Sequence, residues 1–196
     1  MTAVTHAEGI PVDTIKWHPK VDIAKWSPEQ VQQVLDLLEL DREPTPAELE
    51  RWVEPERLHV EGNLLTTAGL DRITKLITAT SSPQALTSTS GRIGVGDTNT
   101  AAAVGNTDLA AAAGSTHRFF MTLNSLSQAN GVITASAIFG INDGNFAWQE
   151  WCIDVGTPTV TSGTTVNACM LNRAVQSLGT KVSGAIWTFT VTLTLS

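Results

Sequence analysis

The clearest alternation of hydrophobic and polar positions lies in AIWTFTVTLTLS, residues 185–196, where apolar side chains alternate with threonines. This two-residue period predicts a β-strand with one buried face. Shorter apolar stretches between turn-forming residues predict further strands over RIGV, HRFFMTL, GVITASAIFG, AWQEWCIDV and CMLNRAV. Five or six strands without an intervening helical period predict an antiparallel β-sandwich, jelly-roll-like in type, in a mainly β chain.

Three short helices are predicted before these strands. SPEQVQQVLDLLEL begins with Ser27 as N-cap and Gln30 completing a capping box, and TPAELERWV repeats the pattern with Thr45 and Glu48. Their short apolar stripes predict that both pack on the β domain or on a neighbour. A third helix is predicted over TTAGLDRITKLIT, with one apolar face formed by Leu70, Ile73, Leu76 and Ile77.

Residues 1–26 are predicted to form an extended arm, because prolines and isolated apolar residues occur there without an evident period. A tryptophan buries a large apolar area when it finds a partner. We therefore expect the arm to lie on its own domain, on a sister subunit or on another protein. The candidate contact residues are Ile10, Ile15, Trp17, Ile23 and Trp26, together with Trp52 on the second helix.

The distribution of charge predicts three parts. Most charged residues fall in the first ninety, whereas the rest of the chain is rich in Thr, Ser, Ala and Gly. We interpret 1–60 as an arm and short helices for attachment, 61–90 as a helix and linker, and 91–196 as the antiparallel β domain.

Composition and charge argue against several classes of function, among them nucleic-acid binding and membrane insertion. The net charge of -7 argues against a nucleic-acid surface, which needs clustered Lys and Arg. Cys152 and Cys169 are too far apart for a CxxC pair and are expected to be buried thiols. The first residues do not resemble a signal peptide, and no run of about 18 apolar residues occurs. The expectation is a soluble protein made in the cytoplasm, without membrane, metal or cofactor.

The stretch FAWQEWCI holds the strongest candidate chemistry. Glu150 with Asp143 or Asp154 could form the carboxylate pair of a glycosidase. In an alternating strand, however, one tryptophan belongs to the core, while the second, beside Glu150, faces a loop or a subunit. The acidic residues are more simply turn or edge residues, and we expect no enzyme.

Two other polar stretches lack the spacing of a known site. GRIGVGDTNT matches no phosphate-binding loop and predicts a glycine-rich turn. Its neighbouring oxygen ligands lack the spacing of an EF-hand: Asp97, Asn99, Asn106 and Asp108.

Several patches in order resemble virion proteins of tailed bacteriophages, of the capsid decoration, minor capsid or tail-fibre-like kind. They are GNLLTTAGLDRITKLI, RIGVGDTNTAA with NTDLAA, NFAWQEWCI, and LNRAVQSLGTKVSGAIWTFTVTLTLS, within residues 62–196. The resemblance implies an assembly role, and it assigns packing and inter-subunit contacts to Trp148, Glu150, Trp151, Asn172 and Arg173. It also implies an ion pair between Glu150 and Arg173, either buried or at an interface.

The expected function is therefore a non-enzymatic decoration or minor capsid protein of a virion, bound to the major capsid protein through its N-terminal arm. The alternative is a tail or baseplate fibre component that binds other tail proteins or host-surface glycans. A secreted glycan-active enzyme is a more distant third. Modules that bind over an extended surface commonly form symmetric oligomers, and a homotrimer is expected.

Overall fold

A computed structural model describes residues 17–156, 159–161, 164–166 and 170–195. Three helices and twelve strands lie in these residues. In chain order they are β1 (Trp17–Trp26), α1 (Pro28–Leu38), α2 (Pro46–Trp52), β2 (Glu56–Glu61), β3 (Leu64–Leu65), α3 (Thr67–Thr78), β4 (Gly91–Gly96), β5 (Arg118–Thr122), β6 (Ser125–Ala129), β7 (Val132–Phe139), β8 (Ala147–Val155), β9 (Thr159–Thr161), β10 (Thr164–Val166), β11 (Asn172–Thr180) and β12 (Ile186–Leu195).

Ten of these strands form two antiparallel five-stranded sheets, which confirms the predicted β-sandwich. The first sheet has the order β2-β1-β12-β7-β6 and the second the order β3-β11-β8-β4-β5, while β9 and β10 form a separate hairpin. One continuous core lies between the sheets, with Ile23 and Val191 from the first packed against Val95 and Ile153 from the second. The strand predicted over AWQEWCIDV has the bounds of β8.

Aromatic side chains fill one end of this core. The Trp148 ring lies 4.6 Å from that of Phe139 and 4.7 Å from that of Trp187, measured between ring centroids. The Phe189 ring contacts both tryptophans of β8, with its centroid 6.2 Å from that of Trp148 and 5.6 Å from that of Trp151. These tilted and edge-on contacts are the geometry that aromatic pairs prefer.

Residues 17–26 of the predicted arm lie on the chain's own domain, one of the three places expected for the arm, but they do so as a regular strand. These residues form β1, which pairs with β12 on one side and with β2 on the other. Val21 and Ile23 point into the core while Lys20 and Asp22 point outward, which is the period of a strand. Pro19 concealed that period, because a proline inside a stretch usually argues against a central strand. Ile10 and Ile15 lie outside the described residues.

The helices α1 and α2 attach to the same sandwich. Both capping boxes are present, from Ser27 to Gln30 and from Thr45 to Glu48. Their buried side chains pack on the end of the first sheet: Val31, Val34 and Leu49 on Ala24, Trp26 and Ile186. Because β1, β2 and both helices belong to this body, the predicted boundary between an attachment part and a β domain does not hold at residue 60. No helix in the described part of the chain is long and apolar enough to cross a membrane.

Candidate assembly surface

Glu150 and Arg173 form an ion pair, as the resemblance implied. Arg173 Nε lies 2.6 Å from Glu150 Oε2, and both side chains are 0% exposed. Glu150 lies on β8 and Arg173 on the adjacent strand β11, so the two strands bring the charges together. Since neither side chain reaches the surface, the pair is internal to the chain and makes no contact with another subunit.

The carboxylate of Glu150 also accepts hydrogen bonds from two main-chain amides. Its Oε1 accepts a hydrogen bond from Ala111 N at 2.7 Å, and its Oε2 accepts one from Ala110 N at 3.2 Å. Gly96 on the neighbouring strand leaves room for this carboxylate, because an added methyl group would collide with Oε1 and Cγ. A carboxylate enclosed in this way holds a loop in place and is closed to a substrate.

Arg173 binds an earlier part of the loop that contains Ala110 and Ala111. Its NH2 donates to Thr100 O at 2.8 Å, and its NH1 donates to Ala101 O at 3.2 Å and to Asn106 Oδ1 at 3.0 Å. Residues 97–117, which join β4 to β5 without a helix or strand, are thus tied to the second sheet at several points. We call this segment the clamped loop.

Two further pairs tie the clamped loop to β5 and its approach. Arg118 NH1 lies 2.7 Å from Asp108 Oδ2, and His117 Nδ1 lies 2.7 Å from Asp97 Oδ2. Together with Asn106, these two acidic residues are three of the four oxygen groups that the sequence offered as calcium ligands, and each of the three has a partner within the chain. In the part of the chain that the structure describes, no group of three or more His, Cys, Asp or Glu side chains could hold a metal ion.

The clamped loop covers the outer face of β8. Leu109 packs there with Phe120, Cys152 and Met170. One tryptophan of β8 belongs to the core, as expected, but the expectation that the other faces a loop or a subunit is wrong, because Trp148 and Trp151 are both buried in the main core. Burial, together with nearby carboxylates, raises the pKa of the Cys152 thiol well above its usual value. Cys152 is a buried thiol as predicted, and Cys169 lies outside the described residues.

The clamped loop also contacts α3. Val104 O accepts a hydrogen bond from Thr67 N at 2.8 Å, at the first turn of the helix. Thr66 is the N-cap: its hydroxyl accepts from Gly69 N and donates to Met170 O. Gly69 packs directly on Leu171, where an added methyl group would lie 2.8 Å from the Leu171 Cα and closer to its carbonyl oxygen. The first turn of α3 is thereby fixed to the chain before β11.

Beyond that turn, α3 exposes its apolar residues. Leu70 is 52% exposed and Ile77 is 79% exposed, and Leu76 and Val104 are exposed as well. The predicted apolar face exists, but most of it does not pack on the sandwich. We call these four residues the α3 surface. Scattered apolar residues are common on protein surfaces, whereas several exposed apolar residues grouped on one helix are typical of a contact site.

The other predicted contact residues are divided between core and surface. Ile23, Trp26 and Asn172 are buried; Trp26 Nε1 donates to Val53 O and Asn172 Oδ1 accepts from Ile153 N. Trp52 is 46% exposed beside the Arg51 guanidinium. Trp17 is half-buried and donates to Asn63 Oδ1 at 2.8 Å, four residues before α3. Trp17, the first described residue, therefore lies close to the start of α3.

Sequence reasoning did not predict that Lys181 is buried. Its Nζ donates to Gly140 O at 2.6 Å and to Asn145 Oδ1 at 2.9 Å. Burial lowers the pKa of Lys181 to about 8. The surrounding LGTKVSG has the composition of an exposed turn, so no signal in the sequence marked this lysine as buried.

Comparisons of the chain with protein-family models, with curated proteins and with solved structures found no match.

Proposed function

We propose that the chain is a non-enzymatic structural protein of a phage virion, and that it decorates the head by binding the major capsid protein. Binding takes place through the α3 surface together with residues 1–16. The observation that carries the proposal is an exposed apolar helix face that the protein holds in a fixed position.

The rigidity of this surface supports a role in assembly. A contact site that is already ordered loses less conformational entropy on binding than a mobile one. Here Gly69 and Thr66 fix the helix, and the clamped loop fixes Val104. The loop is in turn held by the buried pair of Glu150 and Arg173. The polar groups that could have served catalysis at this place thus act as supports for a surface.

The position of Trp17 supports the participation of residues 1–16. The expected arm can no longer include residues 17–26, because these form a central strand. The shortened segment joins the body next to Asn63, which leads directly into α3. A partner that covers the α3 surface would therefore lie close to Trp17, the residue that follows this segment.

The test is co-sedimentation with shells assembled from the major capsid protein of the same genome. We compare the full chain with Leu70→Ser/Ile77→Ser, which removes two exposed apolar side chains without changing the charge. The matched control is Leu37→Ser/Val182→Ser, since both of these residues are about half exposed and lie away from α3.

We expect the full chain and the control to bind at a fixed ratio to capsid subunits. The α3 variant should bind at least about tenfold more weakly, because burial of a large aliphatic side chain contributes roughly 1.5–3 kcal/mol. If the full chain does not bind shells, the head assignment fails, and tail proteins and host glycans become the next partners to test. Equal binding by all three proteins would place the contact elsewhere on the molecule.

A further inference from the structure

The free edges of the two sheets differ in how they are protected. Natural sheets avoid edge-to-edge association by placing charges on edge strands, by keeping them short or by covering them. At one edge, β2 carries Glu56, Arg57, His59 and Glu61. In the second sheet, β3 has only two residues, and β10 lies beside β5.

The remaining edge, β6, has none of these protections. Its five residues, SLSQA, include no charge and no proline, and all but the half-buried Leu126 are exposed. Its inner side pairs with β7. Among the residues that the structure describes, none donates a hydrogen bond to the outer side of β6 or accepts one from it.

The strands next to β6 are uncharged too. No Asp, Glu, Lys, Arg or His occurs between Arg118 and Asp143, a stretch that includes β6 and β7, and none occurs in β12. Within this sheet, the nearest charged strand is β1, three strands away from β6. At about 4.8 Å per strand, that separation is roughly 14 Å, longer than the screening length of about 8 Å at physiological salt.

The hydrophobic core also extends to this edge without being fully covered. Leu86, Leu126 and Ile133 are half-buried and pack against the main core. Together with Ser127 and Gln128 they line an open pocket of about 340 Å³ beside β6. One further strand along β6 would cover these side chains and satisfy the free main-chain groups of the edge.

We propose that this further strand is β6 of a second copy of the chain, paired antiparallel across a two-fold axis. Antiparallel pairing of one strand with its own copy is self-complementary, which is the property of a two-fold interface. Charge favours this approach: each copy carries a net charge of -7, and the uncharged edge keeps the charged strands of the two copies far apart. The two first sheets then form one sheet of ten strands.

This dimer differs from the trimer expected from the sequence. It does not depend on the proposed attachment to a capsid, because β6 and α3 are separate surfaces. It also predicts an unusual response to salt. Salt screens the residual repulsion between two like-charged copies, so we expect association to become tighter between about 0.05 and about 0.5 M salt, whereas an interface held by ion pairs would weaken.

The test is sedimentation equilibrium of the full chain and of two variants with equal net charge. Ser125→Lys/Ser127→Lys places two lysines on the exposed β6, where like charges from the two copies would face each other. Glu61→Lys changes the net charge by the same amount at the opposite edge of the sheet, on an exposed side chain. Circular dichroism shows that each variant is folded.

We expect the full chain and Glu61→Lys to have twice the 20.9 kDa mass of one chain, and the β6 variant to have the mass of one. A monomeric full chain would overturn the proposal, as would a trimer, or a dimer that survives both β6 lysines. Loss of association in both variants would also overturn it, because net charge rather than the β6 edge would then control the assembly. Hydrogen exchange gives an independent result, since the β6 amides that point away from β7 should be protected only in the dimer.

Discussion

At the scale of single residues, the guanidinium of Arg173 does more than neutralise Glu150. It bonds to one carboxylate, two main-chain carbonyls and one side-chain amide, and the carboxylate accepts two main-chain amides in return. An isolated buried ion pair can often be replaced by apolar residues without loss of stability. Here such a replacement would leave the main-chain groups of the clamped loop without partners.

We expect Arg173→Met to lower the free energy of unfolding by about 3–5 kcal/mol, because it leaves Glu150 charged and buried without its partner. Urea denaturation measures the loss, and limited proteolysis should show new cleavage within residues 97–117. The matched control is Arg57→Met, which breaks an exposed pair with Glu50 of similar length and should cost less than about 1 kcal/mol. An equal decrease in the free energy of unfolding for both variants would mean that Arg173 stabilises the protein no more than an exposed ion pair does.

Lys181 should give the stability of the protein a distinctive pH dependence. Its folded-state pKa of about 8 lies below the ordinary lysine value of 10.5, because burial disfavours the charged form. Below pH 8 both the folded and the unfolded state hold the proton. Between pH 8 and 10.5 the folded state releases it first, so stability rises with pH.

The comparison for this effect is Lys181→Met, in which the titrating group is absent. We expect the stability of the natural chain relative to this variant to increase by about 2 kcal/mol between pH 7 and about pH 10. Urea midpoints measured across this range provide the test. Any contribution from the buried Cys152 thiol is the same in both proteins and cancels in the difference between their free energies of unfolding. A difference that stays constant with pH would show that Lys181 titrates alike in both states.

The residues of this site could be foreseen only in part. The ion pair of Glu150 and Arg173 was implied by the resemblance to phage proteins, while its burial, rather than a place at an interface, depends on the clamped loop that covers β8. Nothing in the local sequence shows that residues 97–117 fold over that strand. The partners of Lys181 come from loops about 40 positions away, which no local pattern reveals.

At the scale of secondary structure elements, local chemistry determined what could be predicted. The capping boxes of α1 and α2 and the extent of β8 follow from nearby residues, and the structure confirms them. The strand β1 was missed because Pro19 interrupts an otherwise regular alternation. For α3, the period showed which residues share a face, but a period cannot show whether that face meets the same chain or another one.

The contact between Gly69 and Leu171 should control the attachment of α3. Replacing a helical glycine with alanine normally stabilises a helix by up to about 1 kcal/mol. At Gly69 the added methyl group would collide with the Leu171 backbone, which cannot move aside like a flexible side chain. We expect Gly69→Ala to destabilise the protein by about 1–3 kcal/mol and to speed hydrogen exchange in α3.

The control for this substitution is Gly105→Ala in the clamped loop, where an added methyl group would meet no atom within 4 Å. We expect this change to leave the urea midpoint nearly unaltered. If Gly69→Ala raised the midpoint instead, the helix would have room to shift away from Leu171, and the α3 surface would be less firmly held than its contacts indicate.

At the scale of the whole molecule, the first sheet joins distant parts of the chain into one body. Residues that composition assigned to separate parts form strands of the same sheet, in which β1 lies between β2 and β12. Charge density had indicated a boundary between the halves. It reflects instead the uneven distribution of charged residues across a single sheet, which a count along the sequence cannot distinguish from a boundary between domains.

We therefore expect the helices and the sandwich to unfold together. Trp26 and Ile186 from the first sheet share a cluster with α1 and α2, so loss of the sheet removes the support of both helices. Far-ultraviolet circular dichroism and tryptophan fluorescence should give one coincident transition, with equal calorimetric and van't Hoff enthalpies. An earlier transition in the helical signal alone would show that the helices form a separate unit.

The position of β12 between β1 and β7 has a consequence for synthesis on the ribosome. Of the described strands, β1 is made first and β12 last. The two strands nevertheless pair with each other: Trp26 of β1 lies opposite Ile186 of β12, although the two residues are roughly 160 positions apart in the sequence. Until β12 emerges, the first sheet has a gap at its centre, and the edges of β1 and β7 that pair with β12 remain open. Open strand edges of this kind are prone to aggregate. The growing chain is therefore most vulnerable between the emergence of β7 and that of β12, when chaperone binding would protect it most.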